Sequence, residues 1–140
     1  MWRRSVKMKI VICGSMAFSK EIIEAKENLE KLGNSCVVPA GVENYASDKF
    51  NVENKWEKIE FDVIRKYFEE IKNSDVVLIV NKDKNGIKNY LGGNSLIEMA
   101  FAHVLNKKIF LLNPIPILNY SDEIEAMKSI IINNNFENIR

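Results

Sequence analysis

The sequence predicts an α/β domain of the flavodoxin-like, doubly wound kind, with a parallel sheet covered by helices on both faces. Short apolar segments alternate along the chain with longer segments of helical periodicity. The apolar segments show no in-out alternation, which is typical of strands buried on both faces of a parallel sheet. Because crossovers between parallel strands are right-handed, we predict five strands in the order 2-1-3-4-5.

The first half of the chain supplies two strands and two helices. Lys9–Cys13 is β-branched and predicts the first strand, and Gly14 and Ser15 predict a tight turn after it. A helix is expected to begin with Ser19 as its N-cap and to end at Gly33. Its predicted inner face consists of Ile22, Ala25, Leu29 and Leu32. Residues 36–40 read as the second strand.

A polar segment, residues 41–55, follows the second strand, and unpatterned loops of this length are usually functional or mobile. Helical spacing of apolar residues then runs from Trp56 to Asn73. The third strand is predicted at 76–80, and residues 81–93 link it to an apolar helix at 96–105. Residues 108–112 read as the fourth strand, a helix follows from Ser121, and residues 130–132 as a short fifth strand.

Length and charge restrict the possible partners. The chain has 140 residues, which corresponds to one domain, here predicted at 8–140 after a flexible leader at 1–7. A formal net charge of +1 gives no field that would attract a nucleic acid polymer. No apolar run is long enough for a membrane span, and the leader lacks the apolar region of a signal peptide.

The two cysteines and the single histidine restrict the chemistry. We expect Cys13 and Cys36 to be free thiols in buried strands, as in a cytoplasmic protein, because small secreted domains usually carry more cysteines. With one histidine and no Cys-x-x-Cys pair, a zinc site is not expected. We expect no cofactor, since the phosphate-binding glycine motifs of dinucleotide folds and P-loops do not occur. His103 is expected to pack in the core.

Glu98 is the one carboxylate in the apolar helix at 96–105, where an unpaired buried charge would be costly. In a doubly wound sheet the ligand lies beyond the carboxyl ends of the strands, at the point where the strand order reverses. The predicted order puts the start of this helix at that crevice. Two interpretations stay open: a functional carboxylate, or a helix cap in which Ser95 and Glu98 form a capping box.

Further polar residues are predicted on the same side of the sheet. Asp83 is a second candidate carboxylate. The lysines of the linking segment, at 82, 84 and 88, suit either a phosphate or the solvent. Gly92 and Gly93 permit close approach of a ligand to the backbone, or a turn.

These segments resemble the nucleoside 2-deoxyribosyltransferase-like superfamily, which includes the 2′-deoxynucleoside 5′-phosphate N-hydrolases. The resemblance covers most of the chain: KIVICGS at 9–15, SDVVL at 74–78, GNSLIEMAFA at 93–102 and NKKI at 106–109. It implies that Glu98, in the first turn of its helix, attacks or stabilises the anomeric carbon of a sugar. Two positions differ from the family pattern. Gly92 stands where an aspartate or serine is common, and Tyr67 about where an aspartate is found.

The resemblance implies cleavage or transfer at the N-glycosidic bond of a nucleoside or nucleoside 5′-monophosphate, by a cytoplasmic homo-oligomer. Asp83 or Tyr90 would be the acid or hold the leaving base. The residues expected to contact the substrate are Gly14, Ser15, Met16, Asn81, Tyr90, Gly92, Gly93, Asn94 and Ser95. Hydrolysis and transfer stay open, as does a non-catalytic nucleotide-binding module. A third possibility is an interaction protein with a vestigial pocket.

Overall fold

Five parallel strands form the central sheet of this protein, in a computed structural model that describes residues 7–43 and 62–140. The strands in chain order are β1 (Lys9–Cys13), β2 (Ser35–Val37), β3 (Val76–Ile79), β4 (Lys82–Lys84), β5 (Ile87–Tyr90), β6 (Lys108–Leu111) and β7 (Ile130–Ile131). The sheet order is β2-β1-β3-β6-β7, and β4 and β5 form a separate two-stranded sheet. The predicted flavodoxin-like fold and the 2-1-3-4-5 order of the five sheet strands are therefore confirmed.

Within residues 7–43 and 62–140, four α-helices pack on the sheet. They are α1 (Ser19–Lys31), α2 (Val63–Lys72), α3 (Gly93–Val104) and α4 (Ser121–Ala126). Alternate residues of β1 point to opposite faces of the sheet, as in any strand. Ile10 and Ile12 pack with α1 and the C-terminal segment, whereas Val11 and Cys13 pack with α2, α3 and α4. Each fully buried large apolar side chain contributes roughly 1.5–3 kcal/mol to folding.

The start of α1 differs from the prediction. A 3-10 turn at Met16–Phe18 precedes the helix, and the Ser15 side chain caps that turn by accepting a hydrogen bond from the Ala17 N–H. Ser19 is the first helical residue rather than the cap, and its hydroxyl donates to the Met16 carbonyl. Leu32 was expected on the inner face but is 37% exposed, because the helix has already ended at Lys31.

The helix predicted from Trp56 is described only from Val63 onwards, and the loop at 41–55 only as far as residue 43. The segment at 81–93, predicted only as the link between the third strand and the next helix, contains the β4–β5 hairpin. Within the described ranges, none of the helices has the length and the apolar character needed to cross a membrane.

Candidate active site

The carboxyl ends of β1 and β3 lie side by side at the centre of the sheet, because Cys13 is in register with Ile79. The chain leaves β1 towards β2 on one side and later enters β3 on the other, so this is the point where the strand order reverses. Gly14 and Ser15 follow β1 here. A Cβ atom added to Gly14 would lie 3.1 Å from the Val80 carbonyl oxygen, so this glycine permits the close approach of the two strand ends.

The β4–β5 hairpin lies against the turn that follows β1. Lys84 Nζ donates a hydrogen bond to Ser15 Oγ at 3.1 Å and stands 5.2 Å from the centre of the Tyr90 ring. The hairpin is closed by Asn85 and Gly86, both with positive φ, as a two-residue type I′ turn requires. The hairpin therefore brings a half-buried ammonium group and an aromatic ring to the crevice.

Asp83 and Asn81, two predicted site residues, lie in different surroundings. The exposed Asp83 carboxylate accepts a hydrogen bond from the Asn89 N–H within the hairpin, at 2.9 Å. Asn81 is fully buried, and its amide donates to the carbonyls of Asn113 and Pro114 at 2.9 and 3.1 Å. Its side-chain oxygen accepts from the Asn113 N–H at 3.0 Å. Through these hydrogen bonds Asn81 connects the loops that follow β3 and β6.

Helix α3 begins earlier than predicted. Its N-cap is Gly92, whose backbone is extended and which has no side chain that could cap the helix. Ser95 lies inside the first turn, and Glu98 lies in the second turn, so the capping box predicted from Ser95 and Glu98 does not form. The first-turn position expected for Glu98 was therefore wrong as well. A Cβ atom at Gly92 would lie 3.2 Å from the Tyr90 ring, so this glycine leaves room for the aromatic side chain.

Helix α3 is also less buried than its composition suggested. Ser95, Met99 and Ala102 are buried, but Ile97 is 39% and Val104 72% exposed. Among the predicted site residues, Gly93 and Asn94 are exposed at the start of the helix, whereas Met16 and Glu98 are half-buried.

Three side chains from three elements meet on the α2–α3 side of the sheet. Cys13, at the end of β1, interacts electrostatically with Glu98 of α3. Tyr67, in the middle of α2, donates its hydroxyl hydrogen to the Ile12 carbonyl and interacts electrostatically with both Cys13 and Glu98. Glu98 is therefore part of an organised polar cluster, which we call the Cys13–Tyr67–Glu98 cluster.

Burial and neighbouring charges raise the pKa values of two members of the cluster, Cys13 and Tyr67. Burial raises the pKa of the Cys13 thiol well above its usual value, and the charge of Glu98 raises this pKa further. Burial likewise raises the pKa of Tyr67, with additions from Cys13, Glu98 and Glu70. Both side chains consequently stay protonated at neutral pH, and the Tyr67 hydroxyl serves as a hydrogen-bond donor.

The prediction for His103 is wrong, whereas the prediction of free thiols at Cys13 and Cys36 is confirmed. His103 was expected in the core, but it is exposed in the last turn of α3, where it follows Ala102, the last buried residue of the helix. It lines an open cleft of about 240 Å³ with Lys108 and Met127, beyond the amino end of β6 and away from Glu98. Cys13 and Cys36 are free thiols, as predicted, although Cys36 is only half-buried.

The part of the chain that the structure describes contains no group of three or more His, Cys, Asp or Glu residues placed to hold a metal ion.

Two contributors to the site were missed in the sequence. The Asn85-Gly86 dipeptide is a strong hairpin signal that would have revealed β4 and β5. Cys13 was considered only as a thiol, although its position immediately before the Gly14 turn puts it at the carboxyl edge of the sheet.

Comparisons with known proteins give one informative result. No protein-family model matches the chain, and no curated protein sequence matches it. Among solved structures, the chain is similar to a 2-deoxyribosyltransferase from the psychrotolerant bacterium Bacillus psychrosaccharolyticus. The TM-score is 0.54 at 20% sequence identity, and the match covers 74% of this chain and 70% of that chain. At this identity the similarity concerns the fold.

Proposed function

We propose that this protein cleaves or transfers the N-glycosidic bond of a nucleoside or a nucleoside 5′-monophosphate, with Glu98 as the nucleophile or the stabiliser of the oxocarbenium-like state. The observation that carries the proposal is the half-buried Glu98 carboxylate in the second turn of α3, which interacts electrostatically with Cys13 at the end of β1, where the strand order reverses. The fold shared with a 2-deoxyribosyltransferase supports it.

The reaction follows from what a positioned carboxylate can do. As the bond between the anomeric carbon and the base breaks, the base leaves with the electron pair and positive charge develops on the sugar. The Glu98 carboxylate stabilises that charge or forms a bond to the anomeric carbon. Water then releases the sugar, or a second base takes the first one's place. The two outcomes correspond to hydrolysis and transfer.

The remaining roles are assigned by position. Ser15, with Asn94 and Ser95 at the start of α3, would orient the sugar or its phosphate. Lys84 donates a hydrogen bond to Ser15 and supplies a positive charge that suits a 5′-phosphate. Tyr90, which lies between Lys84 and Gly92, would hold or protonate the leaving base. Asp83 is the other candidate acid, and its bond to the Asn89 N–H would have to open for that role.

A non-catalytic nucleotide-binding module is the second candidate. The observation that favours it is the absence of the partner acids that the resemblance would lead us to expect, since Gly92 and Tyr67 stand at about the positions where the family carries them. In that case Glu98 would accept hydrogen bonds from ribose hydroxyls without reacting.

A product assay tests the proposal. The protein is incubated with ribo- and deoxyribonucleosides and their 5′-monophosphates, with and without an acceptor base, and free base is measured by chromatography. Wild type and the control Glu27→Gln, altered at an exposed position of α1, should release base. Glu98→Gln should lose roughly a thousandfold in rate or more.

The negative outcomes also discriminate between the candidates. If wild type releases no base but binds one member of the panel at equilibrium, the binding-module function replaces the proposal. If nothing binds, the vestigial-pocket alternative gains support. A Glu98→Gln variant that keeps full activity would exclude Glu98 from the chemistry.

The expected homo-oligomer remains part of the proposal. Apolar side chains that a subunit contact would cover lie on the outer surface of α2 and α3: Ile64, Ile97 and Val104. Sedimentation of the full chain over a range of concentrations, with Val104→Lys alongside, would test this part of the proposal. A monomer at all concentrations contradicts it.

A further inference from the structure

We propose that Asp83 and Asn89 are positioning residues, which together place the Tyr90 ring on the face of the β4–β5 hairpin that lies against the crevice. Tyr90 is then the residue that contacts the substrate, and this part of the inference rests on the proposed function. The backbone arrangement of the hairpin does not, so the two parts can be tested separately.

The first support is a change of register within the hairpin. Lys84 pairs with Ile87 next to the turn, whereas Lys82 pairs with Tyr90. Two residues of β5 therefore stand opposite Asp83 alone, which is a β-bulge. Because side chains alternate between the two faces of a strand, one extra residue moves every later side chain to the other face. Without the bulge, Tyr90 would lie on the face opposite to Lys84.

The burial and the contacts of the hairpin agree with this register. The paired residues share one face, and all of them are half-buried: Lys82, Lys84, Ile87 and Tyr90. Lys88, which follows Ile87 and points the other way, is exposed. The centre of the Tyr90 ring lies 5.2 Å from Lys84 Nζ, and this ammonium group donates to Ser15 Oγ. The bulge therefore brings an aromatic ring to the turn that follows β1.

The second support is the backbone of Asn89. Its φ is 57°, in the left-handed region that asparagine tolerates better than most other residues with a side chain. The extra residue of a bulge loses its partner in the strand ladder. Here the Asp83 carboxylate, directly across the hairpin, accepts a hydrogen bond from the Asn89 N–H at 2.9 Å. Unusual backbone conformations persist where neighbouring groups fix them, and they are frequent at functional sites.

This arrangement gives Asp83 a role other than that of the acid. Asp83 lies between Lys82 and Lys84 on β4, so its side chain stands on the face away from the Tyr90 ring. Its carboxylate is exposed and already holds the Asn89 N–H. Asp83 therefore acts on the site through the backbone of β5. An asparagine at this position could accept the same hydrogen bond but could not supply a proton as a carboxylic acid does.

The fixed ring suits a planar base. Tyr90 is held on one side by Lys84, and on the other by Gly92, where an added Cβ atom would lie 3.2 Å from the ring. Every nucleobase can stack on an aromatic side chain, because every base has a flat π-face. We therefore expect the base of the substrate, rather than its sugar, to contact Tyr90.

The first test measures the position of the ring by NMR, without any substrate. The ring current of Tyr90 shifts the signals of the Lys84 side-chain methylene groups, and Tyr90→Leu gives their positions without the ring. Asp83→Ala removes the acceptor, and Asn89→Val places a β-branched residue where it is strongly disfavoured. Asp83→Asn keeps an acceptor, and Asn89→Gly keeps the conformation. Asn106→Val, at the same φ of 57° after the end of α3, is the matched control.

We expect the Lys84 signals of Asp83→Ala and Asn89→Val to move towards those of Tyr90→Leu. Asp83→Asn, Asn89→Gly and the control Asn106→Val should keep the wild-type signals. The inference is overturned if either disrupting variant folds and keeps the wild-type signals, or if Asn106→Val shifts them as far. Because the two disrupting variants act on different residues, one of them still decides the result if the other does not fold.

Base release gives the second readout. Tyr90→Leu, Asp83→Ala and Asn89→Val should each lose about tenfold in kcat/KM, as expected for the loss of one stacking contact. Asp83→Asn should keep the rate and the pH profile of wild type. An Asp83→Asn variant as impaired as Asp83→Ala would show instead that Asp83 is an acid in the reaction. If wild type neither releases base nor binds a substrate, the proposed function fails, and the Lys84 signals still decide the roles of Asp83 and Asn89.

Discussion

The two faces of the central sheet differ in what they bury. On the α1 side the buried cluster consists of apolar residues such as Ile22 and Leu29. On the α2–α3 side a similar apolar layer ends at the Cys13–Tyr67–Glu98 cluster, close to the carboxyl edge. The same strand, β1, contributes to both faces through alternate residues.

The comparison shows that the α2–α3 face holds the candidate carboxylate Glu98, whereas the α1 face is apolar and receives the candidate binding residues Met16 and Tyr90 at its edge. Burying a carboxylate is tolerable only where hydrogen bonds and polar neighbours compensate it. On the α2–α3 face the polar neighbours of Glu98 include the Cys13 thiol and the Tyr67 phenol. Substitutions on the two faces should therefore have different consequences, and this difference can be measured.

The largest expected effect comes from removing one large side chain from each face. Leu29→Ala on the α1 side and Met99→Ala on the α2–α3 side should each lower the free energy of unfolding by roughly 3 kcal/mol, because both residues are fully buried. Urea unfolding measures this loss. Only Met99→Ala, next to Glu98, should also lower the rate of base release per folded molecule. Equal activity losses in the two variants would contradict the division between the faces.

A smaller loss is expected where the loops of the site are joined. Asn81→Ala removes the bonds to Asn113 and Pro114 and leaves buried backbone groups without partners, which should cost about 2 kcal/mol. Thermal unfolding measures it. Asn28→Ala, which loses an exposed bond to the Glu24 carbonyl, is the control and should change little. If Asn81→Ala is fully stable but binds substrate poorly, this result would instead support the predicted contact between Asn81 and the substrate.

Lys84 lies at the edge between the two faces, and its substitution tests whether the substrate carries a 5′-phosphate. Lys84→Gln removes the charge beside Ser15 and should lower kcat/KM for 5′-monophosphates about tenfold, equivalent to about 1.4 kcal/mol. Unphosphorylated nucleosides should be unaffected. The exposed Lys88, on the same hairpin, provides the control Lys88→Gln. Equal losses on both substrate classes would show that Lys84 supports the hairpin rather than a phosphate.

The smallest expected effect is a decline of stability at alkaline pH. Burial raises the pKa of Cys36, on the α1 side, to about 11, and it also raises the pKa of Cys13 well above its usual value. In the unfolded chain a thiol ionises near pH ~8.5, so the unfolded state releases these protons first. The contribution to stability is complete below that pH and is lost as the pH rises towards the folded values.

Urea unfolding at pH 8 and pH 10 measures this decline. Cys36→Ala should lose less stability between the two pH values than wild type, because the thiol that ionises first on the α1 side is gone. An identical decline in both proteins would assign the effect to other groups.

Much of the fold could be predicted from the sequence because the signals are local. The apolar runs at Lys9–Cys13 and 76–80 are recognisable as buried parallel strands without knowledge of the strands they pair with. Strand β1 begins and ends as predicted. The position of Glu98 relative to the crevice followed from chain order and topology alone. The start of α3 was misjudged because Ser95 is a good capping residue by type, whereas the extended backbone at Gly92 begins the helix.

The sequence by itself determined the alternation of strands and helices, the strand order and the side of the sheet on which Glu98 lies. Only the tertiary structure decided what surrounds Glu98. Cys13, Tyr67 and Glu98 are far apart in the chain and belong to a strand and two helices, so no periodicity links them. The same holds for Lys84 and Ser15, which meet only because the hairpin folds back over the end of β1. Such contacts depend on packing between elements, which local sequence patterns do not encode.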